Sequence, residues 1–147
     1  MRFWLDKGVD GFRIDAVPHL IEARDLADEP VSGATENPLD YTYLDHVYTK
    51  SQPETYDVVR GWRQVLDEYE AEGNNRIMII EAYCSLADTM KYYEYGAHVA
   101  FNFGLVESVT RRSSARDLKD FVDNWMEHLP EGPMEACSPG PIYNQYR

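Results

Sequence analysis

The chain has 147 residues, with 26 acidic against 14 basic side chains and a formal net charge of −12. That balance speaks against nucleic acid as a partner, because nucleic-acid binders carry basic patches, and against binding through a polybasic membrane surface. No run approaches the ~18 apolar residues of a transmembrane helix, and no secretory signal opens the sequence; anchoring of a larger parent stays open.

Taken in order, the pattern alternates helix and strand. Residues 1–8 read as the end of a helix, stopped by Gly8. A strand is expected over about 11–16, then a short helix within Val17 to Leu26. Residues 27–54 form an acidic excursion of poor periodicity, containing Asp28-Glu29-Pro30 and Ser32-Gly33-Ala34-Thr35-Glu36-Asn37-Pro38. They read as an extended loop between strand and helix. Ser51-Gln52-Pro53-Glu54 has the spacing of a capping box. The helix behind it places Val58, Val59, Trp62, Val65, Leu66 and Tyr69 on one face, and Gly73-Asn74-Asn75 is expected to end it. Ile77-Met78-Ile79-Ile80 is a short continuous apolar run, expected as a strand buried on both faces. Ser85 with Asp88 starts the next helix, which Gly96 breaks. Ala97 to Phe103 is a third strand candidate. Ser114 with Asp117 caps a last helix whose Leu118, Phe121, Val122, Trp125, Met126 and Leu129 are expected to pack in a core. The two cysteines, Cys84 and Cys137, set no disulfide framework, and their pairing stays open.

The residues that carry chemistry stand at strand ends. In Asp10-Gly11-Phe12-Arg13-Ile14-Asp15-Ala16-Val17-Pro18-His19, Arg13 and Asp15 alternate with the apolar Phe12 and Ile14 and so share a face. A guanidinium two residues away fixes a carboxylate rotamer and favours its ionised form, as a nucleophile requires. The plain alternative is a structural ion pair. The second acid, Glu81, directly follows the apolar run. An acid there is costly in a core and reasonable where a strand emerges into a site. Two strands each ending in a carboxylate and separated by helix describe neighbours in a (β/α) barrel, whose chemistry sits at the C-terminal strand ends. Facing carboxylates are the apparatus of glycoside hydrolysis. A metal site from Asp10, Asp15 and His19 is a weaker reading, because Asp10 and Asp15 diverge on alternating faces.

Asp-Gly-Phe-Arg-Ile-Asp-Ala-Val-Pro-His over residues 10–19, followed by Met-Ile-Ile-Glu-Ala-Tyr over 78–83, resembles the second and third signature regions of the α-amylase family of glycoside hydrolases (family 13), and more narrowly its insect-type maltases. The flanks agree, with Phe3 to Val9 before the first motif and His98 to Phe103 after the second. The resemblance covers about residues 1–131. Residues 132–147 do not share it and read as a divergent tail. It implies an α/β fold, a partial (β/α)8 TIM barrel of about three βα units, since 147 residues fall short of the ~250 of a complete barrel. It implies a retaining α-glucosidase acting on α-1,4 bonds of a disaccharide or oligosaccharide, in a secreted or cell-surface parent. Asp15 would be the nucleophile and Glu81 the acid/base, protonated at the outset. Arg13 would orient Asp15, and His19 would line the substrate cleft. Ala16 beside the nucleophile suits an α-1,4-linked aglycone. The chemistry needs no cofactor, and calcium in the parent stays open. The family's first region and the Asn-His-Asp of its fourth are missing, so the chain by itself is not expected to turn over sugar. The alternative implied by the resemblance is a non-catalytic relative, a transporter heavy subunit or a surface receptor.

Overall fold

The computed structural model describes residues 1–70 and 75–130. Its frame is a three-stranded parallel sheet in the order β1-β2-β3, formed by β1 (Gly11–Ile14), β2 (Ile77–Ile80) and β3 (Val99–Ala100). Helices separate the strands: α1 (Arg2–Leu5) precedes β1, α2 (Pro53–Asp67) leads into β2, α3 (Leu86–Glu94) joins β2 to β3, and α4 (Phe103–Ser108) and α5 (Ala115–His128) follow.

Gly11 pairs with Ile77, Arg13 with Ile79, and Ile79 with Val99. Register therefore puts Gly11, Arg13, Ile77, Ile79 and Val99 on one face of the sheet. Phe12, Ile14, Met78, Ile80 and Ala100 lie on the other. Only glycine fits at position 11, because a Cβ there would stand 2.3 Å from the Ile77 carbonyl oxygen. The second face carries the core. Met78 and Ile80 are fully buried with Val59 and Leu66 of α2 and Tyr92 of α3, and Leu5 and Val17 close the cluster. Each such aliphatic side chain contributes about 1.5–3 kcal/mol through burial.

The first face is open. Ile77 is 44% exposed and Val99 41% exposed, so β2 is buried on one side and not on both as its apolar run suggests. An inner strand face is covered only when further strands bring their side chains against it. The apolar stripe of α5 is corrected in the same way. Trp125 and Leu129 pack on Met90, Tyr93 and Ala100, whereas Leu118, Val122 and Met126 are exposed.

Other differences are local. The strand expected over 11–16 ends at Ile14, and the expected helix after it is a single 3-10 turn, Val17–His19. Ser51 does not cap α2: it sits at φ 53 and Gln52 precedes the helix, its side-chain amide donating instead to the Val47 and Lys50 carbonyls. The later boxes do form. Ser85 Oγ accepts from the Asp88 N–H, and Ser114 and Asp117 exchange both bonds of a capping box. α2 stops at Asp67, ahead of Gly73 and Asn74, which lie outside the described residues, as do Cys137 and the divergent tail over 132–147. β3 is shorter than the expected strand because Asn102 turns the chain into α4, its side-chain oxygen accepting from the Leu105 N–H at 3.2 Å. Gly96, at φ 101, allows the break after α3, and Arg63 packs where its side chain would be.

Candidate active site

β1 and β2 run in register to Ile14 and Ile80, so the residues that follow them leave the sheet side by side. The Glu81 N–H donates to the Ile14 carbonyl at 2.9 Å, and the Val17 N–H donates to the Glu81 carbonyl at 3.1 Å. Between these bonds Ala16 takes a left-handed conformation, φ 48 and ψ 37. That turn directs its N–H at Glu81 Oε2, 3.4 Å away. A left-handed alanine is uncommon, and strain of this kind is held where surrounding structure over-determines it.

Arg13 joins the two acids. One terminal nitrogen lies 3.2 Å from Asp15 Oδ2 and the other 2.8 Å from Glu81 Oε2. The guanidinium carbon stands 5.7 Å from the centre of the Phe101 ring, a cation–π contact. The acids differ in surroundings, the Asp15 side chain being 70% exposed and that of Glu81 17%. Sequence alternation places Arg13 with Asp15, as expected; that the same guanidinium also holds Glu81 follows only from the strand register.

His19 is tied to the excursion between β1 and α2. Its Nδ1 donates to the Thr49 carbonyl at 3.1 Å, which fixes the orientation of the ring. It also lines a cleft of about 820 Å³ shared with Asp15, Glu81, Tyr41, Lys50, Tyr83, Cys84 and Glu107. Burial pushes the Cys84 thiol up from its ordinary range, so it stays protonated there. Sequence reasoning does not single out Tyr41, Tyr83 or Glu107. Tyr83 stands two residues after Glu81, a period that strand alternation makes visible; Tyr41 and Glu107 reach the cleft only through folding.

Asp10 does not join Asp15 and His19. It stands before β1, at the opposite end of the strand, and pairs with Arg76 at 2.8 Å. The metal site those three residues would form is thereby overturned. Among the described residues no three His, Cys, Asp or Glu side chains converge to hold a metal ion. The two rim carboxylates already share a guanidinium, and these donors do not form a calcium site.

Residues 1–137 match the family model described as "Alpha amylase, catalytic domain". The chain belongs to the alpha-amylase family. Among relatives, it is 46% identical over 140 residues to an "Alpha-glucosidase" of Apis mellifera, covering 95% of this chain and 24% of that protein. To "Maltase 1" of Drosophila virilis it is 44% identical over 137 residues, 88% of this chain and 22% of the other. To the human "Amino acid transporter heavy chain SLC3A1" it is 39% identical over 139 residues, 90% and 20%. The chain thus spans about a quarter of the length of the curated relatives it matches. Within this alpha-amylase stretch no described helix is long and apolar enough to cross a membrane.

Proposed function

We propose that the chain is three βα units of the (β/α)8 barrel of a retaining α-glucosidase, whose remaining units lie elsewhere in a longer protein. The convergence of Asp15 and Glu81 on Arg13 carries the reading. A carboxylate pair at the C-terminal ends of adjacent parallel strands, on the face the barrel interior would occupy, is where such a fold does its chemistry. The open face of β2 and the exposed stripe of α5 fit units that the absent part of the barrel would cover. The boundary of the barrel part at about residue 131, with a divergent tail after it, belongs to the same proposal.

Asp15 attacks the anomeric carbon while Glu81 gives its proton to the departing glycosidic oxygen. Water then releases the covalent glucosyl group, Glu81 taking back the proton. Two inversions at one carbon retain its configuration. The carboxyl groups are expected at about 5–5.5 Å, the spacing of retaining enzymes. Arg13 serves both states of Glu81. With Glu81 ionised its single positive charge is shared between two anions; with Glu81 protonated that charge is left to Asp15, the group that must stay anionic. His19 presents Nε2 to a sugar hydroxyl, its ring angle fixed by Thr49.

The substrate is a maltose-like disaccharide or short oligosaccharide, and the protein acts outside the cell or at its surface, as the names of its salivary relatives suggest for them. The alternative of a non-catalytic transporter subunit is less supported, since the human heavy chain is a weaker relative, 39% identical against 46% for the Apis mellifera protein. Against it stands an acid pair complete with its shared arginine, which transport does not require. The test is turnover in the full-length protein with the anomer of the product followed by NMR. Wild type should release α-glucose from maltose, and Asp15→Asn should release none. A first product of β configuration removes the retaining mechanism, and an inert wild type removes the enzyme.

A further inference from the structure

The excursion between β1 and α2 is held by one carboxylate. Glu29 accepts from the backbone N–H groups of Val47, Tyr48 and Thr49 at 2.8–3.1 Å and from the Thr49 hydroxyl at 2.8 Å. Burial works against this charge, but the Thr49 hydroxyl and the three amides outweigh it and hold the carboxyl below its usual range. Further ties run along the same segment. Val31 bridges Leu44, and the Asp45 N–H donates to the Pro30 carbonyl at 2.8 Å. At the tip, the Asp40 carboxylate accepts from the Thr42 N–H at 2.9 Å and from its hydroxyl at 2.7 Å.

This bonding does not serve a core, since Leu39, Tyr41 and Val47 are all exposed. What it fixes is the ring of Tyr41. His46 stacks on it with centroids 4.1 Å apart and planes 20° from parallel, and His46 Nε2 donates to the Tyr41 carbonyl at 2.9 Å. Tyr41 is nevertheless 57% exposed, with the Lys50 ammonium 6.0 Å from its ring centre, and it lines the cleft that holds Asp15 and Glu81. Tyr83, on the loop after β2, repeats the arrangement: Phe103 backs it at 3.5 Å, and it too is half exposed in that cleft.

An aromatic ring supported from behind and more than half exposed offers a flat apolar surface at little entropic cost, and the Lys50 ammonium beside it is a flexible donor that a sugar can displace or bond. The C–H face of a pyranose fits such a surface, and neighbouring polar groups then read its hydroxyls. Asp15 and Glu81 follow the strand ends directly and act on the scissile bond. Tyr41 is carried away from them on the excursion. Resting on the glycosidase reading above, we propose that Tyr41, backed by His46 and positioned by the Glu29 clamp, is the platform for the leaving sugar, with Lys50 donating to its hydroxyls.

Maltose and α-glucosyl fluoride separate this role from the chemistry, because fluoride leaves without occupying any sugar site. In the full-length protein, Tyr41→Ala should lower kcat/KM for maltose about tenfold, the size of one lost aromatic contact, and leave α-glucosyl fluoride within about twofold. Tyr41→Phe should behave as wild type on both substrates. Glu29→Gln, whose side chain does not itself line the cleft, should lower maltose turnover in the same direction as Tyr41→Ala and by more than it lowers that of the fluoride. A Tyr41→Ala protein that keeps maltose activity, or that loses both substrates equally, overturns the platform while leaving the hydrolase reading intact. A wild-type protein inert towards both substrates overturns the hydrolase reading and the platform with it.

Discussion

His98 and Met78 exchange two hydrogen bonds just before β3 begins. The Met78 N–H donates to His98 Nδ1 at 3.0 Å, and the His98 N–H donates to the Met78 carbonyl at 3.0 Å. The ring stands in for a strand carbonyl and continues the ladder along the edge of β2.

Stability should therefore depend on keeping His98 neutral. Burial first, then the Arg63 charge beside it, lowers its pKa from 6.5 to about 4, with Asp67 opposing. The unfolded imidazole takes up a proton between those values and the folded one does not. The stabilisation is complete above about pH 6.5, falls as pH drops below it, and stops falling below about 4. The full difference is on the order of 3 kcal/mol. His98→Asn keeps an acceptor for Met78 and removes the titration. Urea midpoints measured from pH 7.5 to 4.5 should fall less steeply for that variant than for wild type. Parallel curves would assign the acid sensitivity to carboxylates elsewhere.

Ala16 is expected to tolerate glycine and not valine. Its left-handed backbone aims its N–H at Glu81 and lets the Val17 N–H reach the Glu81 carbonyl. Glycine adopts that conformation without strain, so Ala16→Gly should stay within about 1 kcal/mol of wild type. A β-branched residue is a genuine outlier there. Ala16→Val should lose more than about 1 kcal/mol of stability and lower turnover by shifting both acids. Thermal unfolding and maltose hydrolysis on the same preparations check this; equal behaviour of the two variants would mean the turn is not held in the working protein.

Much of this site is legible in the sequence because alternation is a local property. Arg13 and Asp15 share a face whatever surrounds them, and an acid after four apolar residues marks the end of β2. Ser85 and Ser114 announce their helices, since a cap needs only its own next three residues. The misreadings of Ser51, β2 and α5 depend on distant chain. Ser51 has the right spacing for a cap, but the Glu29 clamp on residues 47–49 and the bond from its own N–H to the Pro18 carbonyl hold the approach to α2, where Ser51 adopts a positive φ. Whether Ile77 and Val122 are buried depends on what packs over them. Glu29 finds its partners some twenty residues ahead, with no periodicity to signal it.

Arg13 cannot be replaced by lysine without loss. Its two terminal nitrogens reach two different carboxylates, and a single ammonium cannot reproduce that fork. Arg13→Lys in the full-length protein should lower kcat/KM by about a hundredfold, in line with misplacing a catalytic group by about 1 Å. Arg13→Ala removes the charge as well. No guanidinium then holds the two carboxylates in place or offsets their repulsion, so kcat/KM should fall further than in Arg13→Lys. Arg13→Lys and Arg13→Ala proteins that keep wild-type kcat/KM and lose only stability would confine Arg13 to a packing role.

The roles proposed for the two acids separate by leaving group. Glu81→Gln removes the proton donor, so maltose, whose departing sugar hydroxyl needs protonation, should be hydrolysed at least about a hundredfold more slowly. An activated aryl α-glucoside departs with little help, so its first step should survive. Deglucosylation then lacks its base, and the glucosyl-enzyme on Asp15 should accumulate, visible as a burst of aryl alcohol and as added mass on the protein. Azide attacks without a general base. It should restore steady turnover of the aryl substrate and yield α-glucosyl azide, the configuration left by two inversions. Asp15→Asn offers no carboxylate to attack, so it should give neither burst nor mass adduct. If azide rescues Asp15→Asn and leaves Glu81→Gln unchanged, the two roles are exchanged, and Arg13 holds the acid through its longer contact and the nucleophile through its shorter one.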